Sequence, residues 1–179
     1  MPNETRKYMN IGIFFGSTTG NTEDVAEQVQ EFLAPHPAQL HNIATEPVTL
    51  MQDYDLVICG IPTWDYGELQ ADWEDIWDEL DTLDLSGTHI AIFGCGDQIG
   101  YPEWYQDAVG MLHDKLCNRG AQAIGYWSTE GYKFEQSKAV INDSHFVGLA
   151  VDEDNQHELT EERVSNWCRQ IIDEYLSKV

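Results

Sequence analysis

Short apolar runs that alternate with amphipathic segments constrain the fold of this chain most strongly. Three of the runs are Met9–Phe15, Leu56–Ile61 and His89–Phe93. They are almost continuously apolar instead of alternating with polar residues, which is typical of strands buried on both faces of a sheet. Such strands need helices on both sides, so the pattern predicts an α/β fold built on a parallel sheet.

The remaining segments complete the alternation. Apolar residues at helical spacing predict four helices, at Thr22–Leu33, Asp72–Leu80, Trp104–Asn118 and Thr160–Leu176. Further strand-like runs lie at Gln39–Ile43, Ala123–Trp127 and Phe146–Val151. Strand and helix alternate about five times without an internal repeat. The chain of 179 residues is therefore predicted to form a single domain over residues 9–179, preceded by an N-terminal extension at residues 1–8.

The charge balance excludes one class of partner and favours another. The sequence has 32 acidic residues against 9 lysines and arginines, a formal net charge of -23. Such a surface repels the phosphate backbone of nucleic acids. It attracts and orients proteins that present a basic patch, although the acidity also fits a role in solubility alone.

Neither a membrane segment nor a metal site is indicated. No apolar run reaches the roughly 18 residues that span a bilayer, and the first ten residues lack the apolar stretch of a signal peptide. We therefore expect no membrane partner and a cytoplasmic protein. The four cysteines are scattered without metal-ligand spacing, so neither a disulfide framework nor a metal site is expected.

In parallel α/β sheets ligands bind beyond the carboxyl ends of the strands, so the loops after Phe15, Ile61 and Phe93 are the candidates. The first loop reads Gly16-Ser17-Thr18-Thr19-Gly20-Asn21-Thr22 and enters a helix directly. Small residues, hydroxyl groups and a helix N-terminus favour an anion such as a phosphate. The lysine of a nucleoside-triphosphate-binding loop is missing, which weighs against an NTPase. The alternative is an ordinary Ser/Thr-rich turn that caps a helix.

The other two loops contribute aromatic side chains and glycines. The second loop contains Trp64, which would be costly to leave in water and either packs on the protein itself or covers something flat. The third loop, Gly94-Cys95-Gly96-Asp97-Gln98-Ile99-Gly100-Tyr101, has glycines that permit a close approach of a ligand to the backbone. Its glycine spacing differs from that of a dinucleotide fingerprint. Together the loops predict a phosphate cradle with two aromatics that can sandwich a planar ring.

At this point the sequence resembles a known family. The motifs FFGSTTGNTE, GIPTWDYGEL and GCGDQIGY, with DAVG and FVGLAVD further on, are similar to those of long-chain flavodoxins, closest to the enterobacterial second-flavodoxin type. The resemblance runs from about Met9 to the C-terminal helix. It implies a flavodoxin-like, five-stranded parallel sheet with helices on both faces. It also implies that an insertion at about residues 128–145 interrupts the last strand.

The resemblance assigns FMN as the cofactor and gives roles to individual residues. The loop that binds the FMN phosphate would be Ser17, Thr18, Thr19, Gly20, Asn21 and Thr22. The ring would stack between Trp64 and Tyr101, with Pro62 and Thr63 in the same loop as Trp64. The backbone of Asp65, Tyr66 and Gly67 would lie near flavin N5. The pyrimidine edge would meet Gly94, Cys95, Gly96, Asp97 and Gln98.

The implied function is that of a low-potential one-electron carrier that is not an enzyme. It would bind FMN non-covalently and shuttle electrons between an NADPH-dependent flavodoxin reductase and acceptor redox enzymes, as a monomer. The acidic segment Asp72–Asp84 is the predicted docking surface. The alternative is an FMN-dependent quinone or nitro-compound reductase on the same fold, but no basic residue near the loops favours a pyridine nucleotide. A phosphorylation receiver would need acidic residues after the first strand, where this chain has Gly16, Ser17 and Thr18.

Overall fold

The computed structural model describes residues 9–179, so the predicted extension at residues 1–8 lies outside the described residues. Its central sheet is parallel. Four full strands, β1 (Ile11–Phe15), β2 (Ala38–Asn42), β3 (Leu56–Gly60) and β6 (His89–Cys95), lie in the order β6-β3-β1-β2. β1, β3 and β6 are buried along their whole length, as their apolar composition predicts.

The fifth position of the sheet is filled by two short segments. Both β7 (Gln122–Ala123) and β11 (Leu149–Val151) pair with β6, one with its first residues and the other with its last. Residues 124–148 separate them. Part of this stretch forms an antiparallel sheet of its own from β8 (Trp127–Ser128), β9 (Val140–Ile141) and β10 (His145–Phe146). The fifth strand is therefore interrupted by an insertion, and the order across the sheet is β2-β1-β3-β6, followed by β7 and β11 at the fifth position.

Helices cover both faces of the sheet and enclose two hydrophobic cores. α1 (Asn21–Phe32) and α4 (Thr160–Lys178) pack on one face through residues such as Val29 and Trp167. On the other face lie α2 (Ala71–Ile76) and α3 (Asp107–Cys117), which contribute Trp73 and Leu112. Within residues 9–179 no helix has the length and apolar character needed to cross a membrane.

The structure corrects several predicted boundaries. Ala123–Trp127 was predicted as one strand, but Trp127 belongs to β8 and pairs with Phe146 in the small antiparallel sheet. Phe146–Val151 is likewise divided between β10 and β11. Gly148 lies in the gap, where a Cβ atom would come within 2.2 Å of the Ile92 carbonyl oxygen, so the chain passes too close to β6 for a side chain.

Two helices are shorter than their apolar spacing predicts. The helix predicted at Asp72–Leu80 ends as α-helix at Ile76 and continues as a 3₁₀ turn over Asp78–Thr82. The helix predicted from Trp104 begins at Asp107, because Gln106 adopts a left-handed conformation with φ of 60°. Apolar spacing does not distinguish a 3₁₀ turn from an α-helical one over such short distances.

Candidate functional site

Three loops and the end of β11 meet at the carboxyl edge of the sheet and enclose a cavity of about 420 Å³. The cavity is lined by most of the residues predicted from sequence: Ser17, Thr18, Thr19, Asn21, Thr22, Pro62, Thr63, Trp64, Asp65, Cys95, Gly96, Asp97 and Tyr101. Five predicted residues, Gly20, Tyr66, Gly67, Gly94 and Gln98, do not line it. The parallel order of the strands brings these distant loops together.

The first loop is ordered by its own hydroxyl and by the helix that follows. Gly20 donates its backbone N–H to Ser17 Oγ at 3.1 Å, and its φ of 95° explains why glycine occupies this position. The Gly20 carbonyl accepts the backbone N–H of Asp24, and this hydrogen bond closes the first turn of α1. Thr18, Thr19 and Asn21 are exposed at the cavity. The loop therefore presents neutral donors beside a helix N-terminus, a set that suits one phosphate group.

The second loop is a small hairpin. Thr63–Trp64 (β4) pairs with Glu68–Leu69 (β5), and Asp65, Tyr66 and Gly67 form the turn. Asp65 has a φ of 43° and Gly67 a φ of 82°, so the turn requires left-handed backbone at a non-glycine residue. Trp64 is half-buried at the cavity. The Tyr66 ring does not line the cavity; it packs edge-on against Trp104 with centroids 5.0 Å apart and against Tyr101 with centroids 6.0 Å apart.

The third loop starts later than the sequence indicates, because β6 continues through Gly94 and Cys95. At Gly94 a Cβ atom would lie 2.3 Å from Val109 Cγ2, so the strand is packed tightly against α3. Burial raises the pKa of the Cys95 thiol to about 12. Cys95 is therefore a protonated, space-filling residue at physiological pH, and not a thiolate.

Hydrogen bonds tie the third loop to its neighbours. Tyr101 donates its hydroxyl to Asp65 Oδ1 at 3.3 Å, which joins the second and third loops. Gln98 is almost fully buried and donates Nε2 to Asp152 Oδ2 at 2.7 Å, just after β11. Burial opposes ionisation of Asp97, but hydrogen bonds from the Gly100 N–H, the Asn155 amide and the Ile99 N–H outweigh it and lower the pKa of this carboxyl.

Two acidic residues of the cavity were missed by the sequence analysis. Glu153 and Asp154 line it directly after β11. The signal was available, because the end of the fifth strand lies at the same edge of the sheet as the three predicted loops. The pKa of Asp154 is raised by burial and by the nearby Asp97, Asp152 and Glu153.

The charged residues in the lining of the cavity are all acidic. Asp65, Asp97, Glu153 and Asp154 line it, and among residues 9–179 no lysine, arginine or histidine does. Neutral hydroxyl donors suit a phosphate monoester, and the aromatic residues suit a flat ring. The donor set and the aromatics both fit FMN.

Comparison with known proteins identifies the family. Residues 13–167 match the Flavodoxin family. The chain is 52% identical over 167 residues to Flavodoxin 2 of Escherichia coli K12, covering 93% of this chain and 96% of that protein. It is 50% identical over 163 residues to Flavodoxin 1 of the same strain, covering 91% and 93%. The chain belongs to the flavodoxin family.

Solved structures agree with this assignment. A crystal structure of Fusobacterium nucleatum flavodoxin bound to flavin mononucleotide superimposes with a TM-score of 0.88 at 29% identity, covering 93% of this chain and 98% of that one. The predicted flavodoxin-like fold and the predicted cofactor, FMN, are confirmed. This flavodoxin is an FMN-binding electron carrier and not an enzyme. Nothing in these relatives favours the alternative of a quinone or nitro-compound reductase.

Proposed function

We propose that the cavity at the carboxyl edge of the sheet holds FMN through the residues named from the sequence. The phosphate would lie in the loop of residues 17–22. The isoalloxazine would stack between Trp64 and Tyr101, with the backbone of residues 65–67 near N5 and that of residues 94–98 at the pyrimidine edge. The single observation that supports this assignment best is the cavity itself, because it unites a neutral phosphate cradle with both aromatics.

Titration of the apoprotein with FMN and with riboflavin tests the assignment. Trp64→Ala and Tyr101→Ala should weaken the binding of both flavins, because stacking on the ring does not depend on the phosphate. Thr19→Val should weaken the binding of FMN and not that of riboflavin, because riboflavin lacks the phosphate. Leu176→Ala is the control, since this side chain is 53% exposed on α4 and lies outside the cavity. If Trp64→Ala and Tyr101→Ala weaken flavin binding no more than Leu176→Ala does, the placement of the ring is wrong.

The carrier is proposed to work at low potential. FMN, when bound, accepts and releases electrons one at a time. The carboxylates of Asp65, Asp97, Glu153 and Asp154 would oppose the build-up of negative charge in the cavity. A change of about 59 mV in a one-electron potential corresponds to about 1.4 kcal/mol. Glu153→Gln should therefore raise the second one-electron potential, whereas Asp173→Asn, on the exposed side of α4, should leave it unchanged.

The acidic segment at residues 72–84 is the proposed docking surface for an NADPH-dependent flavodoxin reductase and for acceptor enzymes. It carries seven carboxylates: Asp72, Glu74, Asp75, Asp78, Glu79, Asp81 and Asp84. Asp81 is bound to Lys115 at 2.9 Å, and Asp72 accepts a hydrogen bond from Gln70. Asp75 and Glu79 are exposed, and within the described residues no hydrogen bond or ion pair holds their side-chain carboxylates. They are therefore available to a basic partner.

A charge-reversal pair tests this surface. Asp75→Lys with Glu79→Lys should slow electron transfer from the reductase, most clearly at low salt. Glu162→Lys with Asp173→Lys makes the same change in net charge on exposed positions of α4 and serves as the control. Equal slowing by both pairs would show that net charge matters and that the surface at residues 72–84 does not.

The remaining features of the proposal concern the state of the protein. We propose a monomeric, cytoplasmic carrier whose single domain spans residues 9–179, with residues 1–8 outside it. Dense acidity favours the monomer, because copies with this net charge repel one another. Sedimentation equilibrium at physiological salt tests the monomer, and a dimer mass would contradict it.

A further inference from the structure

Gln70 is a buried polar residue that the flavin cavity does not contain. It is 2% exposed and directly precedes α2. Its Nε2 donates to Thr18 Oγ1 at 3.1 Å and to Asp72 Oδ2 at 2.8 Å. Its Oε1 has no hydrogen-bond partner among the described residues. One buried side chain thus connects the start of α2 with the first loop, 52 residues earlier in the chain.

The direction of these hydrogen bonds determines what Thr18 can do. The Asp72 carboxylate only accepts, so it holds the NH₂ group of Gln70, and not the amide oxygen, on the side that faces Thr18. Thr18 Oγ1 therefore accepts from Gln70, and its own O–H proton is left for another acceptor. Thr18 is exposed at the cavity, where an anionic oxygen is the acceptor that it would meet.

Gln70 also supports the first loop from behind. A Cβ atom at Gly16 would come within 2.4 Å of Gln70 Oε1 and 2.8 Å of Trp73 Cδ1. Trp73 is itself fixed by donating Nε1 to the Gly60 carbonyl at 3.0 Å. The start of the loop therefore packs tightly against Gln70 and Trp73, so a shift of the Gln70 side chain would also move the loop.

We propose that Gln70 is a positioning residue for the FMN phosphate. By donating to Thr18 Oγ1 it holds the Thr18 side chain in one rotamer with the hydroxyl proton directed into the phosphate cradle. Asp72 fixes the orientation of the Gln70 amide by accepting a hydrogen bond from its Nε2. This inference rests on the proposed assignment of residues 17–22 to the phosphate.

The test compares FMN with riboflavin, which lacks the phosphate. Gln70→Met keeps the size of the side chain and removes the donor, so the FMN Kd should rise about tenfold, equivalent to about 1.4 kcal/mol, with riboflavin within about twofold of wild type. Gln70→Glu should raise the FMN Kd further. Its carboxylate would accept the Thr18 proton and turn it away from the phosphate.

A double-mutant cycle tests whether Gln70 acts through Thr18. In a Thr18→Val background, Gln70→Met should have little further effect on the FMN Kd, because the hydroxyl that it orients is gone. Gln30→Met is the matched control, since it removes a similar amide donor, to the Ala38 carbonyl at 2.8 Å, away from the cavity. It should leave the preference for FMN over riboflavin unchanged.

Each other outcome overturns the inference. Equal weakening of FMN and riboflavin would mean that Gln70 only stabilises the fold, and additive effects with Thr18→Val would mean that it does not act through that hydroxyl. If the Gln70 variants do not fold, Asp72→Ala is the second test, because it removes the acceptor that orients the Gln70 amide: the FMN Kd should rise with riboflavin unchanged, and an unchanged FMN Kd overturns the inference. A wild-type protein that binds both flavins equally would overturn the phosphate assignment as well, whereas a ratio of the FMN and riboflavin Kd values that Gln70→Met leaves unchanged overturns the inference alone.

Discussion

Asp152→Asn should be among the most destabilising conservative substitutions in this protein. Asp152 is fully buried after β11 and is surrounded by neutral donors. Its Oδ2 accepts the backbone N–H of Gln98 at 3.1 Å and Gln98 Nε2 at 2.7 Å. Its Oδ1 accepts the backbone N–H of Asn155 at 3.0 Å. An asparagine side chain keeps only one of these two acceptor oxygens, because an NH₂ group takes the place of the other.

The cost can be worked out from these contacts. If the new NH₂ group replaces Oδ2, both donors of Gln98 and the Asn155 Nδ2 contact at 2.9 Å lose their acceptor. If it replaces Oδ1, Asn155 loses its backbone bond at 3.0 Å and a side-chain contact at 3.1 Å. Hydrogen bonds to charged groups contribute about 1.5–3 kcal/mol each, and an unpaired buried donor costs about 1–3 kcal/mol. Because the asparagine amide can adopt the less costly of the two orientations, we expect the free energy of unfolding to fall by about 2–4 kcal/mol. That is a large share of the about 5–15 kcal/mol that stabilises a typical domain.

Urea unfolding of the apoprotein measures this loss without the contribution of bound FMN. Asp154→Asn is the control, because Asp154 is a neighbouring exposed carboxylate whose removal relieves repulsion from Asp97, Asp152 and Glu153. It should leave the free energy of unfolding unchanged or slightly higher. A loss below about 0.5 kcal/mol for Asp152→Asn, within the range of ordinary surface substitutions, would refute the reasoning.

Three further perturbations test the core and the site. Trp73→Phe removes one of the two hydrogen bonds to the Gly60 carbonyl, which keeps the Gly16 N–H at 3.3 Å, so it should lower the free energy of unfolding in urea by about 0.5–1.5 kcal/mol. Gly94→Ala places a methyl group 2.3 Å from Val109 Cγ2 and should cost about 1–3 kcal/mol through overpacking, measured in the same way. The pKa of His89 is lowered, chiefly by burial, so the unfolded chain binds its proton more readily. Stability should therefore fall as the pH drops below about 6.5, and His89→Phe should reduce that slope.

Each of these expectations has a contradicting result. Unchanged unfolding of Trp73→Phe would mean that the Gly16 N–H alone satisfies the Gly60 carbonyl. Wild-type stability of Gly94→Ala would mean that α3 moves away from β6 at little cost. An identical pH dependence of wild type and His89→Phe between about pH 7 and 5 would assign the acid sensitivity to other groups.

The periodicity of the sequence was sufficient for the fold class. The runs at β1, β3 and β6 are continuously apolar because each strand is covered on both faces, as in a parallel sheet that lies between helices. The three loops could also be named, because parallel strands place their carboxyl ends at one edge. Composition and motif therefore determined the layers, the cavity and most of its lining.

Only the tertiary structure decided how the last strand is divided. Trp127 and Phe146 read as parts of central strands, yet they pair with each other in the insertion, since local composition does not specify which strand a residue will pair with. For the same reason the contact between Gln70 and Thr18 is invisible in sequence: 52 residues separate them. The sequence by itself determined which segments are buried and where a phosphate and a ring can bind. The long-range hydrogen bonds that position those groups depend on three-dimensional packing, because no local pattern records a partner that lies on another element.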